Sequence, residues 1–122
     1  MGLRVLIVDD SAVSRALIAR SLLAAGMEVD KTLQAPGADT ALGILATTPV
    51  DVILCDYHMP GMDGLAFARA ARSVAGHGTT PIVMITSEGR VSGDGAAEIK
   101  AFLGKPFTPE RLKEVVEGAI AR

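Results

Sequence analysis

Cysteine is nearly absent: the 122-residue chain carries one, Cys55. No internal disulfide can form, which suits a cytoplasmic protein. A surplus of either charge is missing too, since 12 Lys and Arg against 14 Asp and Glu leave a net charge of −2. Nucleic acids and anionic membranes attract basic surfaces, so no direct contact with either is expected. Long hydrophobic runs are also lacking. The apolar run at residues 5–8 is too short for a signal-peptide core, and no cleavage-like site follows it. No stretch approaches membrane-spanning length, so no membrane insertion is expected. Leu6 leaves the Gly2 start without a complete myristoylation signal. No internal repeat, linker or low-complexity segment interrupts the chain.

What is present is enough apolar material for a core. Hydrophobic residues make up 49% of the chain and charged residues 21%, the profile of one folded domain over residues 1–122. Residues 4–8 are almost wholly apolar and read as a strand buried on both faces. Residues 11–25 read as a helix, with Val13/Leu17 and Ile18/Leu22 four apart and Gly26 where it would end. A weaker strand is expected at 27–33, a short helix at 39–46 and a second strong strand at 50–55, ending on Asp56. Pro60-Gly61 and Asp63-Gly64 punctuate a loop before a helix at 65–73. Further strands are expected at 82–85 and 101–103. Thr108-Pro109-Glu110 begins the last helix with a cap, a first-turn proline and an acid at the positive end of the dipole. Leu112, Val115, Val116 and Ala119 form its apolar stripe. Alternating strands and helices predict an α/β fold, a parallel sheet with helices on both faces. Residues 89–100 are the poor element, because Gly89, Gly93 and Gly95 each cost a helix about 1 kcal/mol against alanine.

In such a sheet, ligands bind outside the carboxyl ends of the strands. The first expected strand ends in Asp9-Asp10, the third in Asp56, the fourth in Thr86-Ser87, and the fifth is followed by Lys105-Pro106. Three carboxylates, a hydroxyl and an ammonium therefore converge on one rim. Crowded carboxylates repel, and a hard divalent cation with oxygen ligands relieves them. Mg²⁺ suits the task because it keeps several waters for an incoming phosphate. Phosphoryl transfer then asks for little beyond positioning and positive charge. An aspartate can serve as the nucleophile, with Lys105 supplying a charge and Thr86 a hydroxyl donor. Taken singly, each residue has an ordinary reading as a cap, a turn former or a solvated charge. Their joint placement, each at a strand end, is what carries the reading.

The segments VLIVDDSAVSR at 5–15, VDVILCDYHMPGMDG at 50–64, PIVMIT at 81–86 and FLGKPFTPERL at 102–112 resemble the receiver domain of bacterial two-component response regulators. Stand-alone receivers of the chemotaxis CheY kind are the nearest in character. The resemblance covers nearly the whole chain. It implies a flavodoxin-like five-stranded parallel sheet in the order 2-1-3-4-5. It also implies Asp56 as phosphoacceptor, with Mg²⁺ or Mn²⁺ held by Asp9, Asp10, Asp56 and the backbone carbonyl of His58. Lys105 would pair with the phosphoryl group, and its bond to Pro106 would be cis. Thr86 and Phe102 would be the switch pair, the hydroxyl moving towards the phosphoryl group and the ring turning inward behind it. His58 and Glu88 stand where the family tunes dephosphorylation, although two exposed polar side chains are an equal reading. Cys55 is expected to point away from Asp56 as a core residue, and Met59 and Met62 to pack within the loop. The implied partners are a histidine kinase or a His-phosphotransfer protein as donor and a downstream protein target, with catalysis confined to the chain itself.

The stretch between Thr86 and Lys105 departs from the pattern. It is short and Gly-rich, and Glu98-Ile99 stands where the family usually has a small Gly-Ala pair. The fourth helix is accordingly expected to be short, disordered or shifted. Two other functions compete. One is an enzyme such as an Asp-nucleophile phosphatase or a nucleotide- or flavin-binding α/β protein. It is disfavoured because Asp56-Tyr57-His58 lacks a second acid two residues on, and no G-x-x-x-x-G-K-[ST] loop is present. The other is a receiver-fold scaffold that no longer switches.

Overall fold

The computed structural model describes residues 2–58, 63–87 and 98–121. Five strands are found: β1 (Leu3–Val8), β2 (Val29–Ala35), β3 (Val52–Asp56), β4 (Ile82–Thr86) and β5 (Ala101–Gly104). The helices among the described residues are α1 (Ala12–Ala24), α2 (Ala38–Thr47), α3 (Gly64–Arg72) and α4 (Pro109–Ile120). The strands form one parallel sheet in the order β2-β1-β3-β4-β5. This is the flavodoxin-like arrangement that the resemblance implied.

Both faces of the sheet are covered, which is why β3 and β4 read as unbroken apolar runs: every residue of each is buried. Successive side chains point to opposite faces, and the core divides accordingly. Leu6, Val8, Ile53, Cys55, Ile82 and Met84 pack with Leu45 of α2 and Phe67 of α3. Val5, Ile7, Val52, Leu54, Val83 and Ile85 pack with Ile18 and Leu22 of α1 and with Leu112, Val115 and Val116 of α4. The expected stripe of α4 is buried in full, including Ala119. In α1 the two expected pairs part company: Ile18 and Leu22 are buried, whereas Val13 and Leu17 are 80% and 51% exposed.

The ends of the helices obey local chemistry. Ser11 caps α1, its side chain accepting from the Ser14 amide, and Gly26 takes the positive φ of 80° that the turn after the helix requires. Asp63 caps α3 by accepting from the Ala66 amide at 2.8 Å. Thr108 caps α4 by accepting from the Arg111 amide at 3.1 Å, with Pro109 in the first turn. Thr108→Ala leaves that amide unpaired and is expected to cost about 1 kcal/mol in chemical denaturation.

Most boundaries fall within one residue of the sequence expectation; β2 and the start of β3, at Val52 rather than residue 50, shift by two. β2 begins two residues later than expected and runs on to Ala35, because pairing with β1 carries it past its last large apolar side chain, Leu33. β3 includes Asp56 itself, which pairs in register with Ile85. The expected poor helix after Ser87 falls largely on residues 88–97, outside the described residues. The described end of that stretch is well tied. The Lys100 amide donates to the Ile82 carbonyl at 2.8 Å. Arg72, at the end of α3, donates to the carbonyls of His77 (2.9 Å), Thr80 (2.6 Å) and Glu98 (3.2 Å).

Candidate functional site

The three expected carboxylates meet at the carboxyl edge of β1 and β3. Asp9, Asp10 and Asp56 each bring a ligand oxygen within 4.8 Å of the others. Asp9 and Asp56 are buried, at 2% and 7% exposure, and Asp10 is exposed. β1 and β3 are adjacent and parallel, with Val8 opposite Cys55, so their next residues arrive side by side. The topology thus forces together charges that the linear sequence holds more than forty positions apart.

Lys105 closes the pocket from β5. Its Nζ lies 3.2 Å from Asp56 Oδ1 and donates to it. Among the described residues, it is the donor to that carboxylate. The Lys105 amide donates to the Thr86 carbonyl at 2.9 Å, and the Lys105–Pro106 peptide is cis, as expected. Thr86 ends β4 one position beyond Ile85, the partner of Asp56 in the β3–β4 register, and is 1% exposed. Phe102 lies opposite Met84 and packs half-buried against the α2–α3 side of the core. Asp9, Asp10, Asp56, Thr86 and Lys105 therefore gather at one edge of the sheet, with Phe102 two residues back along β5.

His58 is exposed two residues beyond Asp56, its ring edge-on to Tyr57 at 4.8 Å. Glu88, Met59 and Met62 lie outside the described residues. Cys55 is fully buried in the α2–α3 half of the core, the small core residue that strand alternation predicted. Burial, with Asp56 and Asp9 nearby, pushes its thiol far above the usual range, so it is a poor nucleophile.

Several residues that hold the site were not singled out in the sequence. Ser14 Oγ donates to Asp9 Oδ2 at 2.5 Å, and the Ser11 amide donates to Oδ1 at 2.9 Å. Arg15 Nη1 donates to the Asp9 carbonyl at 2.6 Å while its Nε reaches Gln34 Oε1 at 3.2 Å. The signal was available, because a residue at the end of a strand lies within reach of the first turn of the helix that follows. Gly64 is the other. A Cβ there would come within 2.7 Å of the Met84 sulfur and 3.1 Å of the Asp56 carbonyl oxygen. Its hydrogen lets the start of α3 press against the strand that carries Asp56, a role hidden behind its reading as loop punctuation. Beside Lys105 lies a cavity of about 450 Å³, lined by Leu17 and Ile18 of α1 and by Pro106 and Phe107.

The donor set is chemically coherent: hard oxygen ligands on one side, a single ammonium on the other. Such a pocket suits a divalent cation together with a phosphate-bearing group.

The comparisons with known proteins agree with this geometry. Residues 5–117 match the response regulator receiver domain. The chain is 32% identical to the chemotaxis protein CheY of Pseudomonas aeruginosa across 98% of both chains. It is 34% identical to the chemotaxis protein CheY1 of Helicobacter pylori across 94% of both. The solved structure of the chemotaxis response regulator CheY4 of Vibrio cholerae superposes with a TM-score of 0.82 at 31% identity, covering 98% of this chain and 99% of that one. A strand-end triad of carboxylates facing a lysine, on this topology and with these relatives, identifies the chain as a member of the response regulator receiver domain family, homologous to the CheY chemotaxis regulators.

Proposed function

We propose that the Asp56 carboxylate takes a phosphoryl group from a phosphohistidine on a histidine kinase or His-phosphotransfer protein, and that the change is passed to a downstream protein. The observation that carries this reading is the meeting of Asp9, Asp10 and Asp56 within 4.8 Å, with Lys105 Nζ 3.2 Å from Asp56. An Asp56 oxygen attacks phosphorus, the bond from phosphorus to the donor imidazole breaks, and the imidazole leaves with the electron pair. Lys105, already bonded to Asp56, is placed to meet the charge of the incoming group. Thr86, tied to Lys105 through its backbone carbonyl, ends the neighbouring strand, where its hydroxyl would serve as donor and switch with Phe102 behind it.

The donor set fits Mg²⁺ or Mn²⁺: Asp9, Asp10, Asp56 and the backbone carbonyl of His58 would hold the ion. When bound, it neutralises the crowded carboxylates and the phosphoryl oxygens. The chain's own chemistry is then confined to accepting and hydrolysing its phosphate, with His58 and Glu88 as tuning positions. The exposed Val13 and Leu17 of α1 flank the same rim and suit a protein donor. A cytoplasmic setting fits the buried, unpaired Cys55.

Mass spectrometry after incubation with acetyl phosphate and Mg²⁺ tests the proposal. The wild-type chain gains one phosphoryl group, and EDTA prevents the gain. No gain with Mg²⁺, or continuous turnover of a free phosphate ester, would overturn the reading.

A further inference from the structure

Asp9 and Asp10 are neighbours in sequence, yet the structure treats them in opposite ways. Every polar group of Asp9 is engaged. Its amide donates to the Ala35 carbonyl of β2 at 3.1 Å, and its carbonyl accepts from Arg15. Its carboxylate accepts from the Ser11 amide on one oxygen and from the Ser14 hydroxyl on the other. Asp10 is exposed, and among the described residues no hydrogen bond reaches its side chain.

We propose that Ser14 is a positioning residue for the metal pocket: its hydroxyl holds the Asp9 carboxylate in a binding orientation before a cation arrives, leaving Asp10 to be ordered by the cation itself. The inference rests on the proposed role of the carboxylates and goes beyond it, because Ser14 is neither a ligand nor part of the phosphoacceptor set.

Three physical points support it. A carboxylate offers about four lone-pair sites. Two hydrogen bonds therefore leave Asp9 able to bind a cation while removing its freedom to turn. The donors also compensate a charge that is 98% hidden from water and crowded by two others, so the pocket tolerates its own repulsion without a cation. And Ser14 sits in the first turn of α1, whose backbone Ser11 caps through the Ser14 amide, so the hydroxyl is carried by a fixed element. Groups that orient metal ligands in this way typically change affinity by about 10- to 100-fold when removed. With the Ser11 amide still in place, the lower end, about tenfold, is expected here.

Helix stability separates the positioning role from a merely structural one. Alanine is a better helix former than serine, so Ser14→Ala offsets its lost hydrogen bond and the metal-free thermal midpoint stays close to wild type. Ser14→Thr keeps the hydroxyl. Ser14→Cys keeps nearly the same size but donates weakly. The experiment is a Mg²⁺ titration followed by the NMR amide shifts of residues 9, 10 and 56, with thermal melts in EDTA alongside. Ser14→Ala and Ser14→Cys should need about tenfold more Mg²⁺ for half-saturation, and Ser14→Thr should bind as wild type does. Equal or tighter binding by Ser14→Ala overturns the inference and leaves the phosphoacceptor reading standing. So does a loss confined to the metal-free melting temperature. A wild-type chain whose residues 9, 10 and 56 do not respond to Mg²⁺ overturns the phosphoacceptor reading, and this inference with it.

Discussion

Asp56→Asn is expected to take up no phosphoryl group from acetyl phosphate under conditions in which the wild-type chain is expected to take up one. Asparagine keeps the shape of the side chain and an oxygen for Lys105, but it has no anionic oxygen to attack phosphorus. Asp9 and Asp10 do not substitute in the wild-type geometry: Asp9 has both oxygens bonded, to the Ser11 amide and to the Ser14 hydroxyl of α1, and Asp10 stands in solvent without the Lys105 contact. The fold should survive. The Lys105–Asp56 pair is partly exposed on the lysine side, so water can solvate the ammonium whose charge the neutral asparagine no longer pairs. Removing one of three crowded negative charges offsets that loss. Mass spectrometry reads the uptake and a melt in EDTA reads the fold. Phosphoryl gain by Asp56→Asn would remove Asp56 as acceptor, and a collapsed melt would contradict the electrostatic argument.

Phe67→Ala is expected to destabilise the domain by about 3–5 kcal/mol. Phe67 heads the fully buried side chains by volume, with 0% exposure, and it packs among Ile53, Cys55, Ile82 and Met84 on the α3 side of the sheet. Truncation leaves a cavity that strands buried on both faces cannot close. A domain of this size holds about 5–15 kcal/mol in all, so the variant loses a large share of its stability. Urea denaturation should show a lower midpoint with little change in slope. A midpoint near that of wild type would mean that α3 can shift inward, against the close contact of Gly64 with the β3–β4 surface.

The main features of this site were legible because they lie at strand ends. An all-apolar run followed by an acid states both the element and the charge at its tip, as at Val8-Asp9 and Cys55-Asp56, and the parallel topology brings the tips together. The burial of Ile18 and Leu22 followed from helical spacing. The exposure of Val13 and Leu17 did not, since spacing four apart is the same for a core stripe and an outward one. The extension of β2 to Ala35 was hidden because Gln34 and Ala35 have weak strand preference and are held by pairing with β1. Ser14, Arg15 and Gly64 were missed for a common reason. Each acts through a contact between elements, and a hydroxyl, a guanidinium or a missing Cβ carries no periodic signal.

β5 is pinned at both of its ends to β4, by the Lys100 amide on Ile82 and the Lys105 amide on Thr86, and Arg72 grips the carbonyl of Glu98 just before it. The edge of the sheet that delivers the ammonium therefore draws its alignment from its own terminal bonds and from α3. Lengthening or trimming the described end of that strand would therefore shift the ammonium at the pocket before it disturbed the carboxylates of β1 and β3.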